Sequence, residues 1–592
     1  MRNPSRQRVT VSATWLCFSV ASAAAADVGA PAGTLIEAES PPPKSTCTVI
    51  DDADASGGKA VTTSKDWEPM FFAESSVYPE GDAVTVHVRS RGGAYIVKVR
   101  GSDGKQQDLK SVWSSPPGWT WTKLGTFPRE KLGEGLTIIR TNKGKPAIDC
   151  VVLSAADKAE VKSLPPFEPR PGLTAVSVAI TADWSGQGRA ITAAHWAVAD
   201  YGILKPADRH NPAFNAYLND LKPGVVRIHW SGFPKAWTDE ASRGWNVTEI
   251  KQAFTEVAPG YGDATLMVNI PHWPEWFHDG PVLPEEKEAD FAALCADLVR
   301  VMRDDVQRRV EYWEVLNELE NRYEKHASLN DLWRLLGKVM TAMREADPAA
   351  KFGGPALTWP KPAWVRGYMA SLGDQADFVT WHNYATDDAF LPNAQLLAKA
   401  DTIAGHAADA LAIIREMQPG RTVETFLTEY NVSWTWRTRD ARMTNNVGAV
   451  FHAMVIKRMA EVGVTGAMVW HIKDGIYGLL DAEGNRRPPA TLFLWGRHLT
   501  GQLVPVRVQV SGVASDTDTP VEVLAVRGDN DRRTVLLINR SEHPTTLDLA
   551  PLQLPSDVVL ERIDASGVHR ASTATTTLQL PGWSLALLRP AD

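Results

Sequence analysis

The chain has 592 residues, of which 44% are hydrophobic and 22% are charged, and its formal net charge is −8. This length exceeds what one hydrophobic core can organise and predicts about three domains. The composition is that of a soluble globular protein, and an acidic balance without a basic tract excludes a nucleic-acid partner. Beyond the N-terminus no run approaches the ~20 apolar residues of a membrane helix, so no membrane partner is expected.

The N-terminus reads as a secretory signal. Three arginines among residues 1–8 precede a mostly apolar stretch, residues 9–26, which ends in a run of alanines. A basic start, a short apolar segment and small residues before a cleavage point are typical of such signals. We therefore expect residues 1–26 to be removed and the protein to be secreted or periplasmic; an unstructured N-terminus is the alternative.

Residues 34–156 alternate polar and apolar side chains in short runs separated by glycine turns, as in 83–88 and 94–99. A period of two is typical of half-buried strands, and the segment is predicted to be a β-sandwich. Cys47 and Cys150, near its two ends, either pair in an oxidising compartment or remain thiols. The proline-rich segment 157–171 follows and is predicted to be a linker.

Residues 172–500 differ in character, because short apolar runs rich in β-branched residues alternate with helical segments such as 329–346. The eight candidate strands are 177–184, 225–230, 265–271, 312–318, 351–357, 378–384, 425–431 and 466–472. Eight strands with helices between them predict a (β/α)8 TIM barrel. Short strands return over residues 503–592 and predict a C-terminal β-sandwich.

In such a barrel the active site lies at the C-terminal ends of the strands, so the residues there are the first candidates. The fourth strand ends on Asn317 and Glu318, and the seventh ends on Glu429. Because side chains alternate along a strand, we expect Thr425, Leu427 and Glu429 to share one face. An apolar strand that ends in a carboxylate indicates a polar site at its tip.

Further polar and aromatic residues end the neighbouring strands. Alternation places Arg227 and His229 on one face of the second strand, places His382 and Tyr384 on one face of the sixth, and leaves Trp470 at the end of the eighth. Two carboxyl groups at one mouth can cleave a glycosidic bond, one as proton donor and the other as ionised nucleophile. A guanidinium such as Arg227 would keep the nucleophile ionised, and Tyr384 would donate a hydrogen bond to it.

Each of these residues alone also has a structural explanation. Glu318 fits the acidic start of a helix, Arg227 fits a structural ion pair, and His382 fits a buried core histidine. Their joint position at the ends of strands two, four, six and seven favours catalysis. No convincing His/Asp ligand cluster accompanies them, so we expect chemistry without a metal cofactor.

Asn317 and Glu318 after the fourth strand and Glu429 after the seventh resemble the signature of clan A retaining glycoside hydrolases. The resemblance implies Glu318 as acid/base, Glu429 as nucleophile and Asn317 as a partner of the sugar 2-hydroxyl. It also places Arg227, His382 and Tyr384 around the nucleophile. A barrel followed by a C-terminal sandwich is most similar to glycoside hydrolase family 39, with families 5, 30 and 51 as alternatives.

Two loops supply further candidate sugar contacts. The substrate-binding candidates outside the strand ends are Asn269, His272 and Trp273 after the third strand and Trp434 after the seventh. Tryptophans at the mouth either stack on the apolar faces of sugars or pack their own loops. We expect stacking for one or two of Trp273, Trp434 and Trp436, and we expect Trp470 at the base of the pocket.

Residues 36–39, 55–61 and 147–153 resemble carbohydrate-binding modules of families 6 and 35. Those modules often hold a structural Ca²⁺ between their first and last strands, and the match implies Glu39 and Asp149 as ligands, since hard cations prefer oxygen. The alternative is that both are acidic residues on strand edges. Sugar binding by this module stays open.

Taken together, the sequence predicts a secreted retaining glycosidase that acts on an oligo- or polysaccharide, with β-xylosidase-like or arabinosidase-like specificity. The alternatives are an endo-acting glycanase on plant or microbial polysaccharide, a non-catalytic glycan-binding protein that keeps the barrel as a scaffold, and a metal-dependent barrel hydrolase. The sugar and the linkage depend on loops around the mouth, which the fold does not fix.

Overall fold

A computed structural model of the chain describes residues 34–38, 46–52, 55, 59–65, 68–74, 78–79, 83–100, 106–115, 118–133, 135–155, 175–387, 391–435, 440–510, 519–555, 558–571 and 576–591. The predicted signal (1–26) and the predicted linker (157–171) lie outside the described residues. Contacts divide the chain into two units, Met1–Leu164 and Pro165–Asp592, and each is described by itself.

The first unit is an eight-stranded antiparallel sheet folded around one core. Its elements are β1 Thr34–Glu37, β2 Thr48–Asp51, β3 Lys59–Thr62, β4 Pro69–Glu74, β5 Ala83–Arg100, β6 Gln106–Ser114, β7 Thr120–Pro128, α1 Arg129–Leu132 and β8 Gly135–Ala155. The long strands β5 and β8 pair along most of their length, with a register shift around Gly92, whose φ is 60°. Residues before the shift in β5 pair with β7 and residues after it pair with β6, as expected for a β-sandwich.

The second unit begins with two short strands, which are followed by the alternating strands and helices of the barrel. Its elements to the end of the barrel are β9 Val176–Ala182, β10 Ala190–Ile191, β11 Ala197–Asp200, α2 Pro206–Arg209, α3 Pro212–Leu221, β12 Val225–Ile228, α4 Phe233–Trp237, β13 Thr238–Asp239, β14 Gly244–Trp245, α5 Val247–Tyr261, β15 Thr265–Ile270, α6 Glu285–Arg300, β16 Tyr312–Val315, α7 Glu320–His326, α8 Leu329–Ala346, β17 Lys351–Leu357, α9 Pro362–Leu372, β18 Phe378–His382, α10 Asn393–Met417, β19 Glu424–Tyr430, α11 Asn446–Val462, β20 Gly466–Trp470 and α12 Pro488–Trp495. The remaining strands are β21 Gly501–Leu503, β22 Val506–Val510, β23 Val521–Arg527, β24 Arg533–Asn539, β25 Thr545–Asp548, β26 Val558–Asp564, β27 Gly567–Ala571, β28 Thr577–Leu580 and β29 Ser584–Pro590.

Eight parallel strands, β11, β12 and β15 to β20, close into a barrel, which confirms the predicted TIM barrel. A buried apolar layer crosses its interior, with one residue from each of seven strands: Ala197, Val225, Met267, Tyr312, Phe378, Phe426 and Met468. Side chains two residues further along a strand face the same side, and this next layer is largely polar. It contains Arg227, Asn269, Glu314, Thr380 and Thr428, all fully buried. The interior therefore changes from apolar to polar toward the C-terminal ends of the strands.

Three of the described barrel helices begin at a capping side chain. Asn211, Ser328 and Asn445 cap α3, α8 and α11, and each side chain accepts hydrogen bonds from backbone N–H groups of the first turn. Helix α11 ends at Gly463, whose φ of 89° suits a residue without a Cβ. Among the described helices, none has the length and apolarity that spanning a membrane would require.

The prediction that residues 177–184 form the first barrel strand is wrong. This segment, β9, pairs antiparallel with β22 and parallel with β25 in a four-stranded sheet, and the first barrel strand is β11. The physical difference lies in burial: β9 has exposed and buried positions, whereas all four residues of β11 are buried. Parallel barrel strands are covered on both faces, so a strand with a solvent side fits an antiparallel sheet.

The C-terminal strands form two sheets that enclose a second core. A seven-stranded sheet runs β10-β21-β23-β24-β29-β26-β27, and a four-stranded sheet runs β22-β9-β25-β28. Val178 and Ile180 of β9 pack in this core with Leu537 and Leu547. The predicted C-terminal β-sandwich is therefore present. It also includes β9 and β10, which precede the barrel strands in the sequence.

The position of β9 can be tested by a double-mutant cycle. Val178 and Leu547 are buried register partners, so we expect Val178→Ala and Leu547→Ala to couple by about 0.5–1 kcal/mol in the free energy of unfolding. Val198→Ala in β11 is the matched control and should add to Val178→Ala without coupling, because Val198 belongs to a different core. Urea titration measures both cycles, and coupling of Val178 to Val198 alone would contradict the assignment.

Candidate active site

A cavity of about 1000 Å³ opens at the C-terminal ends of the barrel strands. Its wall includes residues at or just beyond the ends of β12, β16, β18, β19 and β20: His229, Asn317, Glu318, Tyr384, Glu429 and Trp470. The polar layer of the barrel interior lies directly beneath these strand ends. The cavity is therefore where the strand-end residues singled out in the sequence come together.

Glu429 enters the cavity through an irregularity in β19. The prediction that Thr425, Leu427 and Glu429 share one face of a regular strand is wrong, because Phe426 packs inside the barrel and Leu427 packs in the outer core. The pairing of β19 with β20 shifts register between Leu427 and Tyr430. Such a bulge re-aims the side chains that follow it, and here it turns Glu429 to the interior.

Glu429 is 8% exposed and both of its oxygens accept hydrogen bonds. Nη1 of Arg227 donates to Oε1 at 2.8 Å, and the hydroxyl of Tyr384 donates to Oε2 at 2.8 Å. Burial and the Glu429 carboxylate raise the pKa of Tyr384 well above its usual value, so this hydroxyl keeps its proton and acts as a donor. The arrangement holds Glu429 as an oriented carboxylate.

Arg227 is fully buried and ties three acceptors together. Besides Glu429, its Nε donates to Glu314 at 2.7 Å and its Nη2 donates to Asn317 at 2.8 Å. Burial disfavours the guanidinium, but the Glu314 and Glu429 carboxylates outweigh it and raise the pKa of Arg227 above its usual value. Arg227 therefore pairs with two buried carboxylates at once.

Glu314 is a site residue that the sequence analysis missed. It lies on β16, one residue before the end of the strand, and is 0% exposed. The available signal was an acidic residue inside an apolar strand, because a charge is almost never fully buried without a partner. Its partner Arg227 was predicted as a site residue, but the ion pair between Arg227 and Glu314 was not predicted.

Asn317 and Glu318 follow each other in sequence and still both line the cavity. Strand β16 ends at Val315, and the backbone then takes left-handed conformations at Leu316 (φ 63°) and Glu318 (φ 55°), which breaks strand alternation. Asn269 donates from Nδ2 to the Leu316 carbonyl at 2.8 Å and so holds this turn. Non-glycine residues in this region are strained, and such strain concentrates at functional sites.

Glu318 is partly exposed and contacts His382, whose Nδ1 lies 2.7 Å from its Oε1. Although burial works in the opposite direction, the hydrogen bond and positive charge of His382 lower the pKa of Glu318 below its usual value. One oxygen each of Glu318 and Glu429 and one nitrogen of His382 all lie within 4.8 Å of one another. The two carboxyl groups thus face each other across the cavity floor.

The remaining candidates either offer exposed surface at the cavity or mainly hold the surrounding loops in place. Trp470 and Trp434 line the cavity, and Trp434 is 56% exposed at its mouth. Trp273 also lines the cavity, but it is only 3% exposed and packs edge-on against Phe291, which supports its loop. Both ring nitrogens of His272 face backbone carbonyls, of Trp273 and Ser231, which ties two loops together. Trp436 lies outside the described residues.

Arg227, Asn269 and His382 are fully buried beneath the wall and position the residues that reach the cavity. Asn269 Oδ1, for example, contacts Nδ1 of His229 at 2.7 Å, and Nε2 of the same histidine lies 3.5 Å from Glu429. Burial and the charge of Arg227 lower the pKa of His229 well below its usual value, so this imidazole is neutral.

One side of the wall was not anticipated. Tyr201, Trp230, His471 and Asp474 line the cavity opposite Glu318. Tyr201 directly follows β11; because the first strand was expected at residues 177–184, Tyr201 was not among the strand-end candidates. With β11 as the first strand, Tyr201 is a strand-end residue like the others.

The predicted calcium ligands lie in the first unit. Asp149 is fully buried, and Nη1 of Arg89 donates to its Oδ2 at 2.6 Å. This guanidinium supplies the positive charge that a Ca²⁺ would supply, so the surroundings of Asp149 fit an ion pair better than a metal ligand. Glu39 lies outside the described residues, and the calcium site stays a prediction.

Comparison with known proteins shows likeness of structure without close relatives in sequence. No family model matches the chain, and no curated protein matches it. A GH39 β-xylosidase from Caulobacter crescentus superposes with a TM-score of 0.53 at 16% identity, over 70% of this chain and 100% of that one. A family 51 α-L-arabinofuranosidase from Bifidobacterium longum gives 0.53 at 14% identity, over 71% and 100%. A GH39 enzyme from Xanthomonas axonopodis pv. citri gives 0.52 at 16%, over 72% and 99%.

At this level of identity the likeness shows the fold. The predicted similarity to clan A barrels is confirmed in that sense, because structures of families 39 and 51 share the closed parallel barrel with additional antiparallel sheets. The resemblance of the first unit to carbohydrate-binding modules stays a prediction.

The buried charge network makes a stability prediction. Arg227→Met leaves Glu314 and Glu429 without their counter-charge, and we expect it to lower the free energy of unfolding by about 3–5 kcal/mol at pH 7. Adding Glu314→Leu should recover part of that loss, because it removes one of the two stranded charges and fills its space. Denaturant titration measures both variants, and an Arg227→Met protein as stable as the wild type would contradict the prediction.

Proposed function

We propose that the protein is a retaining glycoside hydrolase that cleaves O-glycosidic bonds by double displacement. Glu318 acts as acid/base and Glu429 as nucleophile. The observation that carries the proposal is the spacing of the two carboxylates: one oxygen of Glu318 and one oxygen of Glu429 lie within 4.8 Å of each other. Retaining enzymes keep their carboxyl groups about 5–5.5 Å apart, whereas inverting enzymes leave about 6.5–9.5 Å for a water molecule.

In the first step, Glu429 attacks the anomeric carbon and the leaving oxygen takes a proton from Glu318. Arg227 and Tyr384 hold the two Glu429 oxygens, so the attacking lone pair is aimed before the substrate arrives. This pre-orientation lowers the entropic part of the activation free energy, because the reacting groups are already held in position. The product of the step is a covalent ester between the sugar and Glu429.

In the second step, Glu318 is a carboxylate and removes a proton from the water that attacks the anomeric carbon. The ester bond breaks, and its electron pair returns to Glu429, where Arg227 and Tyr384 again stabilise the charge. Two inversions at one carbon give net retention of configuration. Asn317 lies beside Glu318 in the wall and is fixed by Arg227, which suits a contact to a sugar hydroxyl.

The substrate class follows from the site and from its structural neighbours. Exposed Trp434 and cavity-lining Trp470 offer aromatic faces for sugar rings. The neighbours include a β-xylosidase and an α-L-arabinofuranosidase, which supports an oligo- or polysaccharide containing such sugars. Secretion or export to the periplasm, where such polymers are met, would rest on the signal-like residues 1–26.

Replacing the nucleophile tests the proposal directly. Glu429→Gln keeps the shape of the side chain but cannot form the ester, so we expect kcat on an aryl xyloside or arabinofuranoside to fall by at least about 10⁴-fold. Glu424→Gln is the matched control, because Glu424 lies at the opposite end of the same strand, bonded to Lys351. Full activity of Glu429→Gln would disprove its assignment.

The stereochemical outcome is a second prediction. Because the carboxylates are close together, proton NMR of the early product should show the same anomeric configuration as the substrate. Glu318→Ala should slow a phenyl glycoside by about 10²–10⁴-fold and a dinitrophenyl glycoside far less, since only the former needs its leaving group protonated. An inverted product would rule out double displacement.

Removal of metals gives a third prediction. Glu318, His382 and Glu429 present three ligand atoms within 4.8 Å of one another, but the guanidinium of Arg227 already donates to Glu429 there. A divalent cation would face this buried positive charge, so the donor set fits an ion network. We expect activity to survive EDTA treatment; loss of activity that zinc restores would favour a metal-dependent hydrolase instead.

A further inference from the structure

His382 lies between the two carboxylates and is neither the proposed acid/base nor the proposed nucleophile. Its imidazole is 0% exposed, with Nδ1 at 2.7 Å from Glu318 Oε1 and Nε2 at 3.6 Å from Glu429 Oε1. Within the part of the chain that the structure describes, Nε2 makes no hydrogen bond. A neutral imidazole would turn an unprotonated nitrogen toward one of two carboxylates, whereas an imidazolium presents an N–H to each.

The charges around His382 favour the imidazolium. The groups that face it are Glu318 from the loop after β16, Glu429 from β19, and Arg227 and His229 from β12 and its end. Arg227 pairs with both Glu314 and Glu429, so its single positive charge is divided between two carboxylates, and His229 is neutral. A proton on His382 therefore lowers a local excess of negative charge that water cannot screen.

We propose that Glu318 and His382 hold the transferable proton as a pair, and that it resides on the imidazole until the leaving group requires it. The inference rests on the proposed glycosidase function and specifies where its acid proton is stored. His382 is a positioning residue in this scheme, since it touches Glu318 and Glu429 but does not line the cavity.

The proton count closes over one catalytic cycle. In the first step the proton moves from Nδ1 of His382 to Oε1 of Glu318, whose carboxyl turns about its soft last torsion and delivers it to the leaving oxygen. The electron pair of the broken C–O bond stays on that oxygen, His382 becomes neutral, and Glu429 loses its charge in the ester. In the second step Glu318 takes one proton from water, and the charge that returns to Glu429 draws this proton back to His382.

The titration behaviour of both groups agrees with this scheme. Although burial disfavours the charged ring, the Glu429 charge and the bond to Glu318 raise the pKa of His382 above its usual value. The same contact lowers the pKa of Glu318. A carboxyl group that acts as general acid usually keeps its proton near neutral pH because its pKa is raised. Here the neighbouring imidazole holds the proton instead.

Nitrogen-15 NMR of the histidine ring tests this without any substrate. In the wild type the His382 ring should remain protonated above pH 6.5, and in Glu318→Gln its midpoint should fall by at least about one pH unit, because one of two carboxylates is lost. His382→Gln identifies the resonance by its absence. A wild-type midpoint at or below 6.5, or one that Glu318→Gln leaves in place, would overturn the proposal.

Kinetics give an independent readout. In His382→Gln the proton must reside on Glu318 alone, so the upper-pH limb of kcat/KM for a phenyl glycoside should move down by at least about one pH unit, with a smaller change for a dinitrophenyl glycoside. His210→Gln, at a histidine whose side chain is 61% exposed, is the matched control and should leave the limb in place. A purely structural role for His382 would lower the rates of both substrates without moving the limb, which would overturn the proposal.

The two experiments separate the possible failures. Absence of wild-type turnover on any glycoside would refute the proposed function, while the NMR midpoint would still report whether His382 and Glu318 share a proton. Turnover with an unshifted ring midpoint would leave the glycosidase function standing and refute the shared proton alone.

Discussion

The buried guanidinium of Arg227 is the constraint on which the site depends. It lies in the polar layer of the barrel and bonds Glu314 on β16, Asn317 in the loop between β16 and α7, and Glu429 on β19. Removing so many charges from water is unfavourable unless each finds a partner in good geometry. Three separate strands must therefore arrive in register before the network closes. Closure of the barrel and orientation of the Glu429 carboxylate therefore depend on the same network.

The site gains rigidity from how the barrel is layered. Apolar side chains from seven strands fill the interior below, and polar side chains one pleat higher fill the level under the cavity floor. The two carboxylates thus sit at strand ends supported by packed side chains, while loops contribute more exposed parts of the wall, such as Trp434. This division explains how one scaffold can keep its chemistry while the loops choose the sugar.

Much of this arrangement could be predicted from the sequence, because strand ends are local features. Glu318, Glu429, Arg227 and Tyr384 were all placed by the rule that functional residues follow parallel strands. The first strand was misplaced because β9 and β11 are both short apolar runs, and only tertiary pairing separates them. The bulge that turns Glu429 inward is likewise a property of the pairing with β20, so no periodicity within residues 424–430 reveals it.

The recruitment of β9 into the C-terminal sandwich has a consequence for synthesis. The Trp184 indole just after β9 donates to the carbonyl of Leu552, 368 residues further along the chain. Chains fold from the N-terminus as they emerge from the ribosome, yet β9 meets its partners only when nearly all of the protein has been made. Until then its apolar edge is unpaired. The barrel and the sandwich therefore belong to one compact unit, and a fragment ending near residue 500 would leave β9 without its strand partners.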